Sequence, residues 1–220
     1  MITVLSIILL SRLIKAQNTN VMKVPVDIYI SERGKDSYSV RMEDIETAMN
    51  KVKEKLENNL NQRALSDATN KYSPIEFSIN VLTEPPKGID IDECGQNIDI
   101  IATHLQAIHN MNTKNNIITF LNCPSSTYYE HFSNANMEVP LLIQGDNLSC
   151  VRRIATFVEP ERSKFELTFA NALMAAAGCP IKNPVSLKED DGGDRGVQTT
   201  YFLESNAYEL LFREACDQIP

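Results

Sequence analysis

The chain has 220 residues, 29 of them Asp or Glu against 21 Lys or Arg, for a formal net charge of −8. That length suits one domain of about 200 residues, and 43% hydrophobic with 23% charged residues is ordinary globular composition. An acidic balance in which no more than two basic residues are adjacent excludes a nucleic-acid surface built on Lys/Arg clusters.

Residues Ile2 to Leu10 form an apolar run followed by Ser11-Arg12-Leu13-Ile14-Lys15-Ala16-Gln17. This reads as a secretory signal peptide, residues 1–17, cut near Ala16 or Gln17. The run is too short to span a bilayer, and no other stretch is a transmembrane candidate, so 18–220 is expected to be a single secreted domain. Val24 to Ile30 alternates as a first strand. Ser31 to Ser39 is polar and turn-like. Arg41 to Leu65 is an amphipathic helix with Ile45, Met49, Val52, Leu56 and Leu60 stepping by three and four. Its charged face, Glu43, Lys51, Lys53, Glu54, Lys55 and Glu57, is expected to be solvated.

Pro74 to Leu82 is a second alternating strand, and Pro85-Pro86-Lys87-Gly88 breaks the chain. Asn97 to Asn110 reads as a second amphipathic helix with Ile98, Ile101, Leu105 and Ile108 inward. Ile117 to Leu121 is a buried third strand, Cys123 to Met137 a long polar loop, Val139 to Ile143 a fourth strand and Ile154 to Val158 a fifth. The helix Ser163–Ala177 follows the Glu159-Pro160-Glu161 turn. Ser163 with Glu166 three residues on has the spacing of a capping box, and Gly178 then Pro180 stop the helix. Phe169, Ala170, Leu173, Met174, Ala175, Ala176 and Ala177 cover nearly every face, so this helix is expected to be buried all round against a sheet. Ile181 to Gln198 reads as irregular, with an acidic stretch from Lys188 to Asp194, and Glu204 to Ala215 as a last helix. The order β-α-β-α-β-β-β-α-α implies an α/β sandwich with a mostly parallel sheet. The longest irregular stretches, Cys123–Met137 and Ile181–Gln198, are where a binding function is expected.

Titratable groups offer little chemistry. His104 and His109 are five apart and fall on different faces of their helix, and His131 stands alone. Asp190, Asp191 and Asp194 lack the spacing and closing Glu of a calcium loop. An exported chain with Cys94, Cys123, Cys150, Cys179 and Cys216 is expected to form disulfides with one cysteine left over. If the Asn97–Asn110 helix runs back antiparallel to the third strand, Cys94 and Cys123 come close enough to bridge. Asn147-Leu148-Ser149 is the chain's one N-glycosylation sequon.

The strand, acidic turn and core helix ending in Gly178, with Tyr201–Cys216 as closing helix, resemble the catalytic domain of the ADAM and reprolysin metalloproteases. The resemblance implies a three-layer, metzincin-like sandwich: a mostly parallel five-stranded sheet with helices on both faces. It also implies a Cys150–Cys216 bridge, which leaves Cys179 as the odd cysteine. Anchored on Gly178, the family's H-E-x-x-H-x-x-G-x-x-H motif falls on Asn171, Ala172, Ala175 and Ile181, so all three zinc ligands and the general base are missing. The family's methionine turn has no match. Asp27 fits one ligand position of the family's calcium site, without recognisable companions. What the resemblance implies is a secreted, catalytically inactive metalloprotease-like domain without zinc, acting through an unknown protein partner. The alternative is a hydrolase that recruits metal through His104, His109 or His131 and acidic loop residues.

Overall fold

The computed structural model describes residues 21–37, 44–66, 73–85, 90–92, 113–122, 141–144, 151–159, 161–179, 185–190 and 198–203. In chain order these form β1 (Met22–Ile30), α1 (Glu32–Ser37), α2 (Ile45–Ser66), β2 (Ile75–Leu82), β3 (Asn116–Leu121), β4 (Leu142–Gln144), β5 (Arg153–Phe157), α3 (Arg162–Ala176), β6 (Val185–Asp190) and β7 (Gln198–Leu203). Five strands make one sheet in the order β2-β1-β3-β5-β4. β2, β1, β3 and β5 run parallel, and β4 closes one edge antiparallel to β5. β6 and β7 form a separate antiparallel pair. The fold is therefore α/β with a mostly parallel, mixed five-stranded sheet.

Side-chain alternation places the core. On β1, Val24, Val26, Ile28 and Ile30 are buried on one face, where Ile118, Phe120 and Ile154 of the neighbouring strands join them. Onto this face α2 lays Ile45, Met49, Val52, Leu56 and Leu60, the stripe its periodicity predicts. α3 lies beside α2 on the same face, with Leu173 and Met174 fully buried. Phe165 and Phe169 stack at 6.1 Å between ring centres, and Phe120 of β3 packs against both at 5.6 and 6.1 Å. β3 and β5 are buried along their whole length. Ile117, Leu121 and Phe157 fill the opposite face, as in central parallel strands covered on both sides. The two long described helices thus share one face. The expected Asn97–Asn110 helix lies outside the described residues.

Local structure departs from expectation at three places. Residues 32–37 are helical, not a turn, because Ser31 caps them: its hydroxyl accepts the Gly34 N–H at 2.9 Å and its carbonyl the Lys35 N–H at 2.9 Å. A Cβ at Gly34 would stand 3.1 Å from Ile30 Cγ1 and 3.4 Å from Val158 Cγ2, so glycine lets α1 sit close on the sheet. The capping box of α3 does not form. The helix starts one residue earlier, at Arg162, with Glu161 as N-cap. Ser163 then lies inside the first turn and donates to Glu161 Oε1 at 2.9 Å, while Glu166 pairs with Arg162 at 2.7 Å. Third, the stretch read as irregular contains β6, and β7 takes Tyr201–Leu203 from the segment likened to a closing helix.

The stop signal of α3 works as read. Gly178 has φ 85°, its N–H bonds the Ala175 carbonyl at 3.0 Å, and Cys179 N–H bonds the Met174 carbonyl at 3.0 Å. This is the paired closure of a Schellman motif. Nothing lies within 4 Å of a Cβ at this position, so Gly178→Ala is expected to cost only the left-handed backbone penalty, about 1–2 kcal/mol. A chemical denaturation midpoint unchanged by the substitution would contradict that assignment.

Candidate functional site

The residues aligned on the zinc motif sit in the core. Asn171 is fully buried, as is Ala172, and Ala175 is 5% exposed. Ile181 lies outside the described residues, as do the three histidines, Cys94, Cys123, Cys150, Cys216, Asn147, Asp191 and Asp194. Asp190 is the last residue of β6. Among the described residues, no group of three or more His, Cys, Asp or Glu is placed to hold a metal ion.

Asn171 works as a clasp. Its amide nitrogen donates to the carbonyls of Leu167 at 2.9 Å and Val185 at 3.0 Å, and its Oδ1 accepts the Val185 N–H at 3.0 Å. The side-chain amide thus imitates a neighbouring strand and holds the first residue of β6 against α3. The same device recurs on α2. Asn61 Oδ1 accepts the Ile75 N–H at 2.8 Å, and its amide donates to the Ile75 carbonyl at 3.2 Å, again at the first residue of a strand. Asn116 spans three strands' worth of backbone: its amide donates to the Pro25 carbonyl at 3.1 Å and its oxygen accepts the Arg152 N–H at 2.8 Å. Pro25 has no N–H to offer β1's ladder, so a side-chain link there has clear value. In sequence, asparagine inside a helix reads only as weak propensity. The available signal was Asn171 itself, an amide in the otherwise apolar run Phe169–Ala177.

The strand order reverses between β1 and β3, and in open α/β sheets ligands favour the crevice at the carboxyl ends of such strands. Three polar residues meet there. Ser31, directly after β1, donates its hydroxyl to Asp92 Oδ1 at 2.6 Å. Asn122, directly after β3, donates its amide to the same oxygen at 3.0 Å and its backbone N–H to the Ile91 carbonyl at 2.9 Å. Since the Ser31 hydroxyl also accepts from Gly34, both its functions are used to fix the segment. This arrangement ties three chain segments together and presents no activated nucleophile.

On the face away from α2 and α3, Asp27 accepts amide hydrogens from Asn80 at 3.2 Å and Asn115 at 3.1 Å, one on each carboxylate oxygen. Asp27, the family-based calcium position, thus links β1 to β2 and to the residue just before β3. Arg153 is 5% exposed and donates to the carbonyls of Asn115 and Arg152 at 3.1 and 3.3 Å. Burial lowers its pKa. Burial, then the Asp27 charge, pushes the Tyr29 phenol up. Glu57, expected to be solvated, instead reaches β2 and accepts the Phe77 N–H at 2.6 Å.

Comparison with known proteins decides what these features belong to. Residues 23–217 match the family model described as spore wall protein. The chain belongs to the spore wall protein family. It is 30% identical to a spore wall protein of Encephalitozoon cuniculi (strain GB-M1) over 213 residues, which is 96% of this chain and 97% of that relative. No solved structure matches this spore wall family member.

The match overturns the resemblance to the reprolysins, and with it the reading as an inactive metalloprotease-like domain. The whole stretch that carried the resemblance lies within the matched residues. The physical reason is now visible. A strand, a turn and a buried helix stopped by glycine form a general α/β unit, and the aligned positions Asn171, Ala172 and Ala175 are a clasp and two core residues. A spore wall lies outside the cytoplasm, so family membership agrees at a coarse level with the expected extracellular location.

Proposed function

We propose that this chain is a structural component of a spore wall, exported through its N-terminal segment and held there by contacts with other wall molecules, proteins foremost. The observation that carries this reading is the family match across residues 23–217, together with a relative named as a spore wall protein aligned over nearly its full length. The geometry supports it. Buried Asn171 and Asn116 bind backbone, and half-buried Asp92 binds Ser31 and Asn122, so these polar side chains hold strands and helices together. The role uses no cofactor and no nucleic acid. Immunogold labelling of sectioned spores with an antibody to this chain tests it. Label concentrated in the wall is expected, and label confined to the cytoplasm would refute the proposal.

Export carries a covalent corollary. Passage through an oxidising compartment favours disulfides, and the proposed pairs are Cys150 with Cys216 and Cys94 with Cys123, with glycosylation at Asn147. Cys179, buried just beyond α3 at 4% exposed, is the cysteine these two proposed pairs leave over. Non-reducing peptide mapping of spore-derived protein should show both linkages; five alkylatable cysteines in the unreduced chain would contradict them.

A further inference from the structure

β2 is an edge strand of the five-stranded sheet and, at eight residues, the longer of its two edges; β4 has three. An edge strand presents a row of outward N–H and C=O groups on which another chain can add. On β2 the first part of that row is taken by α2. The Ile75 N–H and carbonyl are bound by the Asn61 amide at 2.8 and 3.2 Å, and the Phe77 N–H is bound by Glu57 Oε1 at 2.6 Å. Peptide groups point alternately to the two sides of a strand. The N–H groups turned away from β1 are therefore those of Ile75, Phe77, Ile79 and Val81. Glu57 and Asn61 lie four residues apart, on one face of the helix, and so reach alternate positions of the strand. The Glu57 side chain is 16% exposed, with the Lys53 ammonium 3.8 Å from the oxygen that accepts from Phe77.

We propose that Glu57 and Asn61 guard this edge: they occupy its first two outward peptide positions and so keep the strand of a second copy of this chain from adding to the sheet. Their chemistry suits the task. Each presents an acceptor oxygen where an incoming strand would present a carbonyl, and Asn61 also supplies the donor an incoming N–H would provide. A carboxylate on an edge resists strand addition as well, since an arriving peptide carbonyl would meet negative charge. A merely adhesive role, tying α2 to β2, would show in stability alone. A guard shows in association.

The experiment compares the full chain with Glu57→Ala and with Glu57→Ala/Asn61→Ala by sedimentation velocity over a concentration series, with far-UV circular dichroism on the same samples. The expected result is native circular dichroism with self-association at a concentration about tenfold or more below that of the wild type, the equivalent of roughly one net hydrogen bond. Adding Ile79→Pro, which removes an outward N–H at a position where an edge strand tolerates proline, should restore wild-type sedimentation. If the double variant does not fold, the single Glu57→Ala variant, which removes one hydrogen bond, carries the test. A folded guard variant that sediments as the wild type does would overturn the proposal. So would association that Ile79→Pro leaves in place.

Discussion

Replacing Asn171 by leucine is expected to cost about 3–5 kcal/mol, because the Val185 N–H and carbonyl then lie buried with no partner, at about 1–3 kcal/mol for each such group. The leucine fills a similar volume, so the loss comes from hydrogen bonding and not from a cavity. Val185 is 2% exposed, so water cannot take over without opening the contact between β6 and α3. Asn171→Asp sharpens the test. It keeps the oxygen facing the Val185 N–H, at 3.0 Å in the parent, but sets a second oxygen against the Leu167 and Val185 carbonyls. It should be at least as damaging as leucine at neutral pH. Urea denaturation gives the stability, and hydrogen exchange at the Val185 amide locates it. If Asn171→Leu cost under about 1 kcal/mol, on the scale of an ordinary surface substitution, the clasp would be dispensable.

Phe169→Ala should be similarly severe, about 3–5 kcal/mol. Phe169 is fully buried, with the Phe165 and Phe120 rings each 6.1 Å away and 5.6 Å from one another. Removing it takes away buried apolar surface and also breaks one of the two ring contacts by which α3 meets Phe120 of β3. Neighbours from two elements cannot close the gap without moving a helix. The conservative Phe169→Leu should lose markedly less, since most of the volume survives. A domain of this size has a total stability of only about 5–15 kcal/mol, so Phe169→Ala should also lower the yield of folded protein. Equal denaturation midpoints for Phe169→Ala and the parent chain would rule out this packing.

Both positions lie on α3, and they were unequally legible. Phe169 could be read as core because it belongs to a helix apolar on every face. Asn171 on the same helix was read only as a failed zinc ligand, because its hydrogen-bond partner is a strand the chain reaches after a further turn. β6 escaped notice for a related reason. Its segment Val185-Ser186-Leu187-Lys188-Glu189-Asp190 ends in charges and looks like a loop, and becomes a strand by pairing with Gln198–Leu203. The β-branched and aromatic run Thr199-Thr200-Tyr201-Phe202 held a strand signal, set aside because the segment resembled a helix of another family. α1 was missed because six residues carry too little periodicity to register.

The sequence by itself determined where β1, α2, β2, β3, β5 and α3 lie, and which side of α2 is buried. Hydrophobic period and a glycine stop are local properties, set by the geometry of strand and helix alone. It also determined the α/β class, since strands that alternate with long helices favour a parallel sheet. Only the tertiary structure decided what the polar residues do. Glu57, Asn61, Asn116 and Asn171 each serve a backbone group far along the chain, and local sequence cannot say which peptide a side chain will meet. The strand order and the antiparallel seat of β4 were decided at the same level, by how the strands share one core face. A single buried asparagine could thus stand as a missing metal ligand in sequence and prove, in space, to be the partner of a strand.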